Sequence, residues 1–372
     1  MVMVTSLLAA GALFTVFFGS LALVPAKRGP RVAGTIAGSV AAGAAWTGVV
    51  TVGRALGWVA TEEAQFHHLY VLGAVGLPVV GVVLLAASVW RPVKDRRARL
   101  GGRLVALLFV LPAFVGFYAT NIEPGWLQVQ REQIGEGGLK VAVVADVQTD
   151  RFGQFEDEVM AATLGEEPDV IIVPGDLTQV PFAEYPALVP EAAATLGKLE
   201  APGGVFVVSG NTDPSPKSIG SLSDAAGLTA LDDEIVEVTV DGHRVRILGI
   251  SWPNNRRAAV FDAIDRFVEG SGEDTIDIVI AHSPDVIFNL GDGGASGIDL
   301  IISGHTHGGQ IQLPFYGPVW NVTELPRDVA AGGLHVVRDV PLYVSPGIGV
   351  NRGESPKVRF GVRPTIGVLD IG

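Results

Sequence analysis

The residues most able to do chemistry stand together at Gly304-His305-Thr306-His307-Gly308-Gly309-Gln310. Two histidines one residue apart, in a chain with only seven, can bring both imidazoles to one metal cluster. Neutral imidazole ligates Zn, Mn and Fe. The flanking glycines let the backbone turn sharply and approach closely. Gly297 to Ser303, just upstream, reads as a buried strand. The histidines therefore lie where a strand opens into a loop, the usual position for ligands in layered α/β domains.

The same arrangement recurs upstream. Lys140–Ala145 is an apolar strand ending in Asp146-Val147-Gln148, and Asp169–Pro174 ends in Gly175-Asp176. Gly204–Ser209 ends in Gly210-Asn211-Thr212-Asp213, and Ile276–Ala281 ends in His282-Ser283-Pro284-Asp285. Five strand ends thus deliver Asp, Gln, Asp, Asn and three His. Each alone is a weak signal; their order is specific.

In that order the motifs resemble the calcineurin-like metallophosphoesterase superfamily, whose pattern runs Asp-x-His, Gly-Asp, Gly-Asn-His-Asp/Glu, His, and Gly-His-x-His. The resemblance covers roughly residues 139 to 372. It implies an α/β (α+β) fold, a four-layer αββα sandwich with two divalent metal ions (Mn, Fe or Zn) at the carboxyl ends of the strands. It also implies that Asp146, Gln148, Asp176 and His307 hold one metal. Asp176, Asn211, His282 and His305 hold the other, with Asp176 as the bridge. The chemistry agrees. Two ions about 3.5–4 Å apart clamp a phosphoryl group and lower the pKa of a water between them. A carboxylate suits the bridge because it offers two anionic oxygens. Asp176, Asn211 and Asp213 are the residues expected at the reaction itself.

Two positions depart from the pattern. Gln148 stands where the first motif has His, which favours Mn, Mg or Fe over Zn at that site. Thr212 stands where the third motif has the His that serves the leaving group, and Gln179 stands where an Asp often orients that His. Acid and orienter are missing together. General acid catalysis contributes about 10²–10⁴-fold, so the leaving group must be good, or Asp213 or a water must donate the proton, or the rate is low.

The first third of the chain is a different object. Residues 4–24, 32–53, 69–90 and 104–120 carry no Asp, Glu, Lys or Arg. Each approaches the ~20 apolar residues that span a hydrocarbon core. We expect about four transmembrane helices in 1–120, a linker over 121–138, and the catalytic domain over 139–372. Lys27, Arg28 and Arg31 mark the first connector as cytoplasmic, and Arg91 to Arg103 mark the third. Both termini then face outward, giving a multi-pass cell-membrane protein with an extracytoplasmic catalytic domain.

Charge separates the same parts. Residues 1–120 hold ten Lys and Arg against three Asp and Glu; residues 121–372 hold sixteen against thirty-six. So acidic a domain argues against nucleic acid as a partner. The absence of Cys excludes disulfides and thiolate metal sites. His67 and His68 read as interfacial, His243 as exposed in a hairpin turn, and His335 as lacking a ligand partner. Arg352, Arg359 and Arg363 read as phosphate contacts or as surface arginines.

The reading is a membrane-anchored two-metal phosphoesterase in which a metal-bound hydroxide near Asp176 attacks phosphorus. Phosphodiesters or pyrophosphates of envelope lipids or cell-wall precursors are the expected substrates, with membrane lipids as surroundings. The competing reading is a degenerate metal-binding sensor or scaffold domain. The losses at 148 and 212 favour it; the retained Asp146, Asp176, Asn211, His282, His305 and His307 oppose it.

Overall fold

The computed structural model describes residues 70–90, 96–252, 258–272, 274–290, 297–353 and 355–372. The charge-free runs at 4–24 and 32–53, with His67 and His68, lie outside them. Two compact units divide the chain, the second comprising Asn121–Arg352 and Lys357–Gly372.

In the first unit, α1 (Leu77–Trp90) follows a π-helical turn over Leu72–Gly76, and α2 (Arg96–Phe117) runs into a second over Tyr118–Ile122. The two helices approach through small residues. A Cβ on Gly81 would lie 2.7 Å from the Ala106 carbonyl, and one on Gly116 would lie 2.7 Å from Ala74 Cβ. Leu104, Leu107, Leu108, Leu111, Phe114 and Phe117 are exposed along α2. Among the described residues one helix, Leu100–Gly125, is long and apolar enough to cross a membrane.

The second unit is built on strand sequences with two-residue periodicity. β2 (Leu139–Val143) turns Val141 and Val143 to one face and Ala142 to the other. It belongs to a six-stranded sheet with β1 (Gln128–Ile134), β3 (Val170–Val173), β4 (Val205–Val207), β5 (Thr229–Ala230) and β14 (Thr365–Ile371), in the order β1-β14-β2-β3-β4-β5. A second six-stranded sheet contains β6 (Glu234–Val240), β7 (His243–Ile250), β8 (Thr275–Ala281), β9 (Leu300–Ser303), β12 (Gly333–Val337) and β13 (Val340–Val344), in the order β12-β13-β9-β8-β7-β6.

The sheets meet face to face. Val141, Val143, Ile172 and Phe206 from the first pack with Ile247, Ile278, Ile280 and Ile302 from the second. Burying each such side chain stabilises the fold by about 1.5–3 kcal/mol. The outer face of the first sheet carries α3 (Gln154–Leu164), α4 (Tyr185–Leu196) and α5 (Pro216–Ala226), through Val159, Leu188, Leu196 and Leu222. The outer face of the second carries α6 (Ala258–Glu269), through Val260, Ile264 and Phe267. These are the four layers expected from the motifs.

One expectation needs correction. Residues 121–138 are not a free linker, because Gln128–Ile134 forms edge strand β1, parallel to β14. Five of its seven residues are polar and none is fully buried, which disguises it as a strand.

Candidate metal centre

β2, β3 and β4 run parallel, as do β7, β8 and β9, so within each sheet their carboxyl ends open on one edge. The loops at those ends carry the chemical residues. Five of them, Asp146, Gln148, Asp176, His305 and His307, hold φ between 41° and 72°. The left-handed region is costly for side chains other than glycine, and such strain collects at functional sites. Backbone bonds hold it in place: Asp146 N–H to the Gly175 carbonyl (3.2 Å) and Gln148 N–H to the Asp176 carbonyl (2.8 Å). The motif glycines admit the carboxylates. A Cβ on Gly210 would stand 2.1 Å from Asp176 Oδ1, and one on Gly304 would stand 2.4 Å from Asp146 Oδ2.

Asp176 lies between two groups of donor atoms. On one side, ligand atoms of Asp146, Asp176 and His307 all fall within 4.8 Å of one another. Gln148 Nε2 donates to Asp176 Oδ2 (3.3 Å), while Gln148 Oε1 is buried with no hydrogen-bond partner. On the other side, His282 Nε2 lies 2.8 Å from Asn211 Oδ1, 3.1 Å from His305 Nδ1 and 3.4 Å from Asp176 Oδ1.

The second group gathers its lone pairs around one ring nitrogen. His282 Nδ1 lies 2.9 Å from the Pro174 carbonyl, which only a donor can satisfy. Burial pushes His282 down to about 4, so the ring is neutral and Nε2 carries a lone pair. That lone pair faces the amide oxygen of Asn211, an oxygen of Asp176 and His305 Nδ1, so potential ligand atoms from four residues converge on one point.

The charges argue likewise. Burial, then the charge of Asp176, push Asp146 well above the carboxylate range. Burial raises Asp176 to about 7. Burial, then the neighbouring His282, lower His305 to about 3. Crowded buried carboxylates beside neutral imidazoles and an unpartnered amide oxygen form a donor set that fits divalent cations.

Asp213 accepts on both oxygens, and burial, then the charge of Asp176, raises it to about 7. Its Oδ2 accepts the N–H groups of Asp176 (2.9 Å) and Gly210 (2.8 Å), and its Oδ1 accepts those of Leu177 (2.9 Å) and Thr178 (3.2 Å). It ties the Asp176 loop to the Asn211 loop. Asp213→Ala should cost at least about 3 kcal/mol by stranding buried N–H groups, a fall of about 6–12 °C in melting temperature. Asp213→Asn should recover little, because its NH₂ would face N–H donors. An unchanged melting temperature with collapsed alkyl-ester hydrolysis would restore Asp213 as the acid.

Thr212 is likewise engaged. Its N–H donates to Asp176 Oδ1 (2.8 Å) and its hydroxyl to the Thr178 carbonyl (2.9 Å). Gln179, at the orienter position, turns elsewhere: its Oε1 accepts the Arg352 N–H and its Nε2 donates to Asn351 Oδ1 (3.3 Å). Arg352 in turn donates to the Gln148 carbonyl (2.8 Å) and pairs with Asp150 (2.7 Å). The residues that depart from the motif thus share one network.

Arg359 is no surface arginine. It is fully buried, and Nη2 donates to the Pro346 and Gly347 carbonyls, both at 2.9 Å. That loop backs Asp146, through Ile348 N–H to the Ala145 carbonyl (3.0 Å) and Gly349 N–H to the Asp146 carbonyl (2.8 Å). Arg363 instead stacks on Trp126, 4.7 Å from the ring centroid. His243 begins β7 half-buried, after the Asp241-Gly242 turn, and His335 Nε2 lies 3.2 Å from the Gly332 carbonyl.

One neighbour escaped the motif reading. The Trp252 indole lies 5.9 Å from the His305 ring and 6.1 Å from the His282 ring. It follows β7, another strand ending at the same edge, but tryptophan offers no ligand atom to prompt attention.

The comparisons agree with this geometry. Residues 139–309 match the calcineurin-like phosphoesterase family. The chain is 28% identical over 294 residues to the uncharacterized metallophosphoesterase YkuE of Bacillus subtilis (strain 168), covering 74% of this chain and 97% of that one. It is 24% identical over 275 residues to the phosphodiesterase YaeI of Escherichia coli (strain K12), covering 68% and 92%. It is also 24% identical to a Bos taurus transmembrane protein with a metallophosphoesterase domain, covering 68% of this chain and 59% of that one. Strand order, motif order and relatives converge: residues 139–309 of this chain are similar to the calcineurin-like phosphoesterases, a family of metal-dependent phosphoester hydrolases.

Proposed function

We propose that this protein is a membrane-anchored phosphodiesterase with two metal ions, acting on phosphodiester or pyrophosphate bonds of envelope lipids or cell-wall precursors at the extracytoplasmic face. Asp146, Gln148, Asp176 and His307 would hold one ion, and Asp176, Asn211, His282 and His305 the other. The observation that carries this is the position of Asp176: its Oδ1 meets the histidine-rich group and its Oδ2 meets Gln148. Bound cations supply Lewis acidity and an activated water. The chain's own residues do the rest. Asn211, exposed at the rim, is placed to meet a phosphoryl oxygen. Asp213 fixes the two loops that carry Asp176 and Asn211. His282 is held in one tautomer by the Pro174 carbonyl.

The apolar helix Leu100–Gly125 supports anchoring, and the Lys- and Arg-rich connectors support the orientation. A pyrophosphate bond, whose phosphate leaving group departs without needing a proton, accords with the absence of a histidine acid at 212. The test is elemental analysis of the purified full chain, with hydrolysis of an aryl phosphodiester before and after chelation. Two metals per chain and chelator-sensitive turnover are expected. Turnover that survives complete metal removal would overturn the reading. A reporter active only outside the membrane, fused after Gly372, should be active; an inactive one would remove the case for envelope substrates.

A further inference from the structure

Five residues after His307 the chain forms a small hairpin, β10 (Gln312–Leu313) and β11 (Gly317–Pro318), with Pro314-Phe315-Tyr316 at its tip. The tip is apolar and faces solvent: Phe315 is fully exposed, Tyr316 more than half, and Leu313 substantially. Phe315 holds a φ of 66° at the third position of the β-turn Leu313-Pro314-Phe315-Tyr316, closed by Tyr316 N–H to the Leu313 carbonyl (3.2 Å), and the turn leaves its phenyl ring in solvent. The surrounding sequence is also unusual. Leu300 to Thr323 contains no charged residue, although about one residue in five of 121–372 is charged.

The stalk is rigid and tied to the candidate metal centre. Gln312 Nε2 donates to the Gly308 and Ala331 carbonyls (3.1 and 3.0 Å), and Gln312 N–H donates to the Phe360 carbonyl (2.7 Å). A Cβ on Gly309 would come 2.6 Å from Pro318 Cβ, so the hairpin base lies against the turn that follows His307. Beneath the tip, the Arg327 guanidinium stacks on Tyr316, 4.8 Å from its centroid, and donates to the Pro318 carbonyl (2.5 Å).

An exposed phenyl, the phenol next to it and an arginine stacked on that phenol are side-chain types suited to a bilayer surface, with its acyl chains, interfacial zone and phosphates. The same chain also carries an apolar helix, Leu100–Gly125, long enough to cross a membrane, so a lipid surface is the occupant at hand. We propose that hairpin 312–318 inserts its tip into the lipid surface and so fixes the height of the metal centre above the headgroups. Phosphate esters at the depth of a lipid headgroup are then presented to Asp176 and Asn211 without leaving the bilayer. This rests on the membrane-anchored phosphoesterase reading and deepens it.

The chain has no cysteine, so Phe315→Cys allows a single environment-sensitive label on the full-length protein. The labelled protein is reconstituted in phosphatidylcholine vesicles, with or without a spin-labelled lipid quencher. Blue-shifted emission, quenched by the lipid-borne group and shielded from aqueous iodide, is expected. Water-like emission open to iodide would overturn the proposal. So would a shielded label indifferent to the lipid quencher, which would place a protein partner there. A second arm uses Leu313→Ser/Phe315→Ser/Tyr316→Ser. Hydrolysis of a water-soluble aryl phosphodiester should stay within about twofold of the unaltered protein, while the same ester on a diacyl lipid in vesicles should fall about tenfold or more, as apolar contact sets interfacial binding. An equal rate on the vesicle substrate would sink the idea. Failure of the unaltered protein on the soluble ester would count against the phosphoesterase reading, and failure to float with vesicles would count against anchoring. Neither is the result that tests the hairpin.

Discussion

Asp176→Asn will lower aryl phosphodiester hydrolysis by roughly 10³-fold, at the upper end of the cost of losing one preorganised electrostatic group. Asp176 Oδ1 receives the Thr212 N–H and Oδ2 receives the Gln148 amide. An asparagine must turn its NH₂ toward one of those donors, and it cannot balance two dications as a carboxylate does. Metal per protein should therefore fall by at least one. Stability gives an independent sign. Without metal, the substitution removes a buried charge that opposes Asp146 but sets an NH₂ against one N–H donor, so the metal-free variant should melt close to the metal-free original. With metal, only the original should gain, because a ligand bound to the folded state alone stabilises it by mass action. A variant that keeps both ions and full rate would dismiss Asp176 as the shared ligand. One that melts far lower without metal would make it a structural carboxylate.

The second large effect concerns the proton for the leaving group. The Thr212 hydroxyl is committed to the Thr178 carbonyl, and Asp213 is saturated by four backbone N–H groups. Neither side chain is left to protonate a departing alkoxide. Rates across a series of phosphodiesters should therefore fall steeply as leaving-group pKa rises, with aryl esters fast and alkyl esters slow. Thr212→His with Gln179→Asp should restore an acid and its orienter, raising alkyl-ester turnover by about 10²-fold, the lower end of acid catalysis. Thr212→His alone should gain less. The carboxylate introduced by Gln179→Asp can still accept the Arg352 N–H that Gln179 now holds, but the bond to Asn351 is lost. A flat leaving-group dependence in the unaltered protein would show that a water or an overlooked group already donates.

The ligand candidates were legible because each follows a short apolar strand, and parallel strands bring their carboxyl ends to a common edge. The four layers were implied by the resemblance of the motifs to the calcineurin-like phosphoesterases, and the fold shows how they pack, Val141 and Val143 inward against Ala142 outward. What stayed hidden depends on contacts between distant segments. Asp213 looks like a free acid in Gly210-Asn211-Thr212-Asp213; only the fold places four N–H groups around it. Arg359 looks like surface charge until the 346–349 loop wraps it. β1 escaped because Gln128-Val129-Gln130-Arg131-Glu132 is too polar to announce a strand, and its partner lies at the far end of the domain.

That pairing has a consequence for how the domain comes into being. β14 lies between β1 and β2, hydrogen-bonded to both, so Gln128 pairs with Thr365 across roughly 230 residues of intervening chain. Every other strand of the first sheet is synthesised long before β14. Until it arrives, β1 has no neighbour in the sheet, and β2 offers an open edge where a buried strand belongs. The domain therefore closes late, as one event. A ribosome stalled anywhere before Thr365 leaves behind two unpaired edges in one chain, a species disposed to pair wrongly with its neighbours.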